Sequence, residues 1–246
     1  MWYNLSLRFE YTTGDDLLMK KRIQAEKLAA EFLGSMFLVM AAISSMILFT
    51  SVFESAKSIA VLANALAVAF VLCALIEMFG SISGAHFNPV VTMVMAFEKK
   101  MTSFDAVTFI LVQIIGGIAG TVLSRLMFLG EVETLLAVSE SVRSGYIYFG
   151  EVVGTFILAL AILLLVKTNS NKISIIVGFL VGGQLLATSS TMFANPQVTI
   201  ARMFTNSAAG IRPLDGLAFI IMQFVGALLA YAVYKLMFSG KTSNLT

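Results

Sequence analysis

Charge is scarce in this chain. Of its 246 residues, 12% are Asp, Glu, Lys or Arg and 59% are hydrophobic. An ordinary soluble domain is about a quarter charged, so too few polar groups exist here to cover a globule in water. Disorder is excluded on the same ground, because disordered segments are poor in apolar residues. One cysteine, Cys73, excludes a disulfide-stapled fold; within an apolar run it reads as packing. One histidine, no Gly-x-Ser-x-Gly string and no clustered His, Asp and Glu at ligand spacing leave little from which to build an enzyme site, a metal site or a cofactor site. A net charge of +2 is too small and too dispersed for a nucleic-acid partner. Prolines number three, so each one is informative.

What is abundant is apolar length, with a mean hydropathy of +0.92. A helix needs about 20 mostly apolar residues to cross a bilayer. Residues 29–53, 58–76, 106–124, 146–166, 173–201 and 216–234 qualify, with Glu31 and Glu151 their only charges. The expectation is an all-α membrane protein with six transmembrane helices. The run 173–201 is long for one helix, and two apolar pieces, 78–97 and about 192–204, are left over. The first 27 residues mix Arg8, Lys20, Lys21, Arg22 and Lys27 with acids and read as an amphiphilic tail rather than a secretory signal. Six spans put both termini on one side. With the N-terminus inside, that side holds Arg8, Lys20, Lys21, Arg22, Lys27, Lys99, Lys100, Lys167, Lys172, Lys235 and Lys241. The other holds Lys57, Arg125, Arg143, Arg202 and Arg212. The positive-inside rule predicts cytoplasmic termini in a cell (inner or plasma) membrane.

The two halves match in order. Glu31-x-x-Gly34 opens the first span and Glu151-x-x-Gly154 the fourth; Asn88-Pro89 and Asn195-Pro196 follow; Gln113-x-x-Gly116 and Gln223-x-x-Gly226 close each half. Three spans per half is an odd number, so the repeat is inverted (3+3), and inverted repeats place the functional site near the bilayer midplane. The predicted organisation is a tail at 1–27, a first repeat at 28–130 with a half-helix at 88–97, an outer connecting loop at 131–145, and a second repeat at 146–240 with a half-helix at 195–204.

Asparagine is a strong N-cap, and proline suits the first helical position, where no donor is needed. Each Asn-Pro therefore reads as the start of a helix of about 10 residues, or about 15 Å, half the membrane core. Such a helix is tolerated in a membrane only where its irregular end is buried in protein or lines a watery cavity. Two of them, entering from opposite sides, bring their positive dipole ends together at the centre.

With these residues in place, the chain resembles the aquaporin, or major intrinsic protein, family. Ser83-Gly84-Ala85-His86-Phe87-Asn88-Pro89-Val90-Val91-Thr92 is similar to the family's first signature, and Phe193-Ala194-Asn195-Pro196-Gln197-Val198-Thr199 to its second. The similarity extends over about 28–238. It implies a homotetramer in the lipid bilayer, each subunit with its own pore, in which the Asn88 and Asn195 amides donate to water or a hydroxyl. The family's Asn-Pro-Ala is altered twice: Val90 and Gln197 stand where it has alanine, which bears on the pore width at the centre.

The resemblance also carries over a narrower filter: Val68, Met192, Val198 and, on the fifth span, Gln184 or Gly183. Water-selective members have an aromatic, a histidine and an arginine at such positions. Here no aromatic narrows the pore and the arginine site is Val198. The expected cargo is water together with small neutral solutes, either glycerol-like polyols or neutral metalloid hydroxides, with ions and protons excluded. Asn-Pro-x-Val-Thr-Ile-Ala-Arg further resembles a microbial branch linked to arsenite-type efflux. Arg202 lies two turns beyond Asn195 and either reaches the pore mouth or satisfies last-turn carbonyls.

His86 is read as structural support or as a pH-sensitive pore element. Glu31 and Glu151 are ionisable groups in apolar spans and should face the protein interior; the resemblance makes them acceptors for the loops entering the half-helices. Glu77 lines the inner vestibule or snorkels to the interface. Gly116, Gly117, Gly120, Gly178, Gly182 and Gly183 suit close helix packing. The alternative to a passive channel is a secondary transporter with inverted repeats, but no acid lies near Asn88 or Asn195 in sequence.

Overall fold

The computed structural model describes residues 14–131 and 134–239. Arg8 and Lys241, which entered the charge count, lie outside the described residues. The elements are α1 (Gly14–Ile47), α2 (Lys57–Ser83), α3 (Pro89–Phe97), α4 (Ser103–Met127), α5 (Ile147–Lys167), α6 (Ile173–Ala187), α7 (Pro196–Arg202) and α8 (Pro213–Phe238), with a π-helical turn, Leu48–Val52, extending α1. Among the described residues there is no strand.

Among the described residues five helices are long and apolar enough to cross a membrane: Lys21–Val52, which includes the π-turn, and α2, α4, α5 and α8. The fifth expected span is shorter. The run 173–201 divides into α6, with 15 residues, an extended stretch, and α7. At 1.5 Å per residue α6 is about 22 Å long. The other leftover piece, 78–97, divides in the same manner. α2 runs on to Ser83 and ends at Gly84, whose φ of +92° turns the chain into α3. The two half-helices have 9 and 7 residues. α1 is one continuous helix from Gly14, so residues 14–27 run into the first span without a break.

The packing obeys a two-fold pairing. α1 lies on α4 as α5 lies on α8; α2 and α6 pack on each other; α3 touches α8 and α5 as α7 touches α4 and α1. Small residues permit these approaches. A Cβ on Gly116 would meet the Phe32 carbonyl oxygen, and one on Gly226 would meet that of Val152, the equivalent contact in the second repeat. Gly120 faces the Met36 carbonyl, Gly117 the side chains of Gln197 and Ala201, and Gly178 and Gly182 face Cys73 and Ala69 of α2. Gly183 differs from the expectation: nothing lies within 4 Å of its Cβ position. Ile59, Leu66, Phe70, Leu111, Phe179 and Ile221 stay exposed on the outer faces. Such faces suit hydrocarbon, where helices need satisfy only their own backbone groups.

Candidate functional site

The site forms where the two half-helices begin. Asn88 caps α3, its Oδ1 accepting from the Val90 N–H at 3.0 Å, and Asn195 caps α7, its Oδ1 accepting from the Gln197 N–H at 3.2 Å. Pro89 and Pro196 occupy the first turns. Each amide then reaches across: Asn88 Nδ2 donates to the Ala194 carbonyl at 2.9 Å, and Asn195 Nδ2 donates to the Phe87 carbonyl at 2.8 Å. An amide nitrogen carries two hydrogens. The second of each has no acceptor among the described residues, and both asparagines line the central cavity.

Matching clamps hold the loops that lead to these caps. Glu31 accepts from the His86 and Phe87 N–H groups, from the Ser83 hydroxyl and from Gln113 Nε2. Glu151 accepts from the Phe193 and Ala194 N–H groups and from Gln223 Nε2. Both glutamates are fully buried and neither lines the cavity. Gln113 Nε2 also donates to Thr92 Oγ1 and Gln223 Nε2 to Thr199 Oγ1, each at 2.9 Å. Buried polar groups are expensive when unpaired, so each clamp ties a span, a half-helix and its loop into one unit.

Val90 and Gln197, expected at the pore centre, are fully buried and do not line the cavity. Val90 packs with Val94, Ala159, Leu163 and Ala227. Gln197 lies behind the centre against Gly117, and its Nε2 donates to the Phe87 carbonyl at 3.2 Å. The glutamine thus shares an acceptor with Asn195 and braces the junction of the half-helices from the side away from the cavity.

The cavity is about 630 Å³ and runs between α1, α2, α5, α6 and the two half-helices. Val68, Met192 and Val198 line it. Gln184 and Gly183 do not. The α6 residues lining the cavity are Ile173, Ser174, Val177, Val181 and Leu185, and beyond the first turn they recur every three or four residues, which keeps one helical face. A shift of one residue turns a side chain by about 100°, which puts Gln184 and Gly183 off that face. Leu185 therefore completes an apolar set with Val68, Met192 and Val198.

The two ends of the cavity differ. At the end holding Lys100 and Asn169, Glu77 lines the wall and accepts from the Ser174 hydroxyl at 2.8 Å. His86 lies between this end and the centre, its Nδ1 3.1 Å from Thr92 Oγ1 and its ring edge-on to Phe109. At the end reached by residues 137–143 of the connecting loop, Arg202 lines the cavity. Its guanidinium sits 3.7 Å from the centre of the Phe193 ring, and its Nε donates to the Ala209 carbonyl, in a loop rather than in the last turn of α7. Arg143, from the connecting loop, also faces Phe193 and donates to the Ser190 carbonyl and the Thr191 hydroxyl. Burial pushes the Arg143 guanidinium below its usual range, partly countered by attraction to Glu151.

Sequence reasoning missed Leu185, Asn64 and the Thr92 and Thr199 acceptors. A signal for the threonines exists, since both motifs read Asn-Pro-x-x-Thr. None marks Asn64, a lone polar residue in an apolar span.

The sequence profile of the family described as Major intrinsic protein matches residues 19–194. The chain is 36% identical over 207 residues to aquaglyceroporin AqpS of Rhizobium meliloti (strain 1021), covering 84% of this chain and 87% of that one. It is 27% identical over 240 residues to aquaporin-1 of Bos taurus, covering 92% and 87%. The X-ray structure of the aquaglyceroporin from Plasmodium falciparum superposes with a TM-score of 0.66 at 19% identity, covering 88% of this chain and 98% of that one, a likeness of fold. With two capped half-helices, duplicated glutamate clamps and a matching family profile, the chain belongs to the major intrinsic protein family.

Proposed function

We propose that the chain is a passive channel for water and small uncharged solutes, of the size and polarity of glycerol or of a neutral metalloid hydroxide. The observation that carries this reading is the wall of the cavity. Val68, Leu185, Met192 and Val198 give it an apolar wall, and Asn88 and Asn195 offer single N–H donors in the same cavity. A wall of this kind passes a solute that sheds few hydrogen bonds and needs no counter-charge. Two half-helix N-termini at the centre disfavour protons and cations there. Coupling to an ion gradient would need an ionisable group at the centre, and Glu31 and Glu151 are both fully engaged in holding loops.

In this reading the filter is Val68, Leu185, Met192 and Val198. The Lys100 end opens to the cytoplasm with both termini, and the 128–146 loop faces outward from a plasma or inner membrane. The exposed apolar faces of α2 and α4 are available for a homotetramer with one pore per subunit. Stopped-flow light scattering on proteoliposomes tests the reading. Non-saturating water and glycerol fluxes without an ion gradient support it. Solute uptake that demands a proton or sodium gradient contradicts it.

A further inference from the structure

The Arg202 end of the cavity contains polar groups that the channel reading leaves unused. Arg202 is 4% exposed and Asn64 is 4% exposed, yet both line the cavity. The Arg202 guanidinium spends its Nε on the Ala209 carbonyl and its face on Phe193; Nη1 and Nη2 have no acceptor among the described residues. Asn64 spends its Nδ2 on the Ala42 carbonyl and the Ser45 hydroxyl, both at 2.8 Å, and its Oδ1 has no donor among the described residues. Those bonds anchor each side chain and fix the direction of its free atoms.

The positions of these two residues are related. Asn64 precedes Val68 by four residues on α2, and Arg202 follows Val198 by four on α7. Four residues are about 6 Å along a helix. The chain runs toward the filter on α2 and away from it on α7, so both polar groups lie about one turn from the apolar ring, on the same side. Arg143 adds a second cation behind the Phe193 ring.

From this arrangement, and resting on the channel reading above, we infer that Arg202 and Asn64 form a solute-binding station one helical turn outside the apolar filter, which takes small neutral polyhydroxy solutes. Guanidinium donors and an amide acceptor in one mouth match a hydroxyl, which both gives and accepts a hydrogen bond. A polyol bound there has exchanged part of its water shell before it enters a ring that offers no hydrogen bonds. The guanidinium, with Arg143 near it, repels cations at the same place.

The test compares wild type, Arg202→Gln and Asn64→Leu in proteoliposomes, using variants that elute and melt as folded protein. Glycerol and water permeabilities are measured by stopped-flow, and sodium and proton leak with an entrapped pH dye. A hydrogen bond to a charged group contributes about 1.5–3 kcal/mol, so the glycerol-to-water permeability ratio is expected to fall about tenfold or more in Arg202→Gln. A neutral bond is weaker, about 0.5–1.5 kcal/mol, and Asn64→Leu should lower the ratio about threefold. Cation leak should rise in Arg202→Gln alone. If Arg202→Gln does not fold, Asn64→Leu carries the test. Ratios within twofold of wild type in the folded variants overturn the station. Failure of the channel reading looks different: wild type itself would then show no glycerol flux above empty liposomes.

Discussion

The two half-helix junctions share a frame and differ in their linings. Glu31 and Glu151, Gln113 and Gln223, Thr92 and Thr199, and Gly116 and Gly226 occupy equivalent places and make equivalent contacts. The residues facing the channel break the symmetry. Two residues before the asparagine, one junction has His86 and the other Phe193; α3 ends without a basic residue, and α7 ends in Arg202. The duplicated part holds the backbone, and the part that differs sets what each mouth presents to a solute. An inverted repeat can therefore keep one scaffold while its two entrances diverge.

The frame should fail alike on both sides. Glu31→Ala and Glu151→Ala each strand buried backbone N–H groups, at about 1–3 kcal/mol per group. Each variant should lose about 3–5 kcal/mol by thermal melting in detergent, the two losses agreeing within about 1 kcal/mol. A large loss in one and a small loss in the other would show that the clamps are not equivalent. Next in size are Gly116→Ala and Gly226→Ala. Their new methyl groups meet backbone carbonyls that have little room to move, and overpacking costs about 1–3 kcal/mol. Gly183→Ala meets nothing and should be neutral or stabilising by up to about 1 kcal/mol.

The linings should respond separately. Val198→Arg narrows the apolar ring and adds a cation, so glycerol permeability should fall about tenfold while water still passes. Unchanged fluxes of both would show that Val198 is outside the constriction. The smallest effect belongs to the Lys100 end, where Glu98 pairs with Lys235 of α8. Partial burial works against the Glu98 carboxylate, but the Lys235 ammonium and the Tyr231 and Tyr234 hydroxyls outweigh it and hold the group below its ordinary value. A carboxylate with a lowered pKa stabilises the fold above its unfolded-state value, and that contribution is lost as the pH falls through the lowered one. Glu98→Gln should remove less than about 1 kcal/mol and flatten stability against pH in that acidic range alone.

The frame was more legible in the sequence than the lining. Glu-x-x-Gly, Asn-Pro and Gln-x-x-Gly recur in order because each is fixed by a contact made twice. The fold and the two Asn-Pro starts follow from that pattern. Leu185 was not legible, because one residue of offset on α6 separates a cavity face from its neighbours and spacing counted from a motif does not fix that rotation. Val90 and Gln197 stand where the resemblance has alanine, and that alone points to the centre. Each lies two residues beyond its asparagine, about 200° around a helix, and neither lines the cavity. Asn64 lacked a repeat partner, so no pattern exposed it.

The central claim is passive conduction of neutral solutes through an apolar ring and two asparagine donors. Stopped-flow light scattering on proteoliposomes in a glycerol gradient, with the ion gradients collapsed, tests it most directly. The account predicts a rapid shrinkage as water leaves and a slower reswelling as glycerol follows, the latter rising in proportion to the gradient. Reswelling that saturates with glycerol, or that appears only with a proton or sodium gradient, would contradict it.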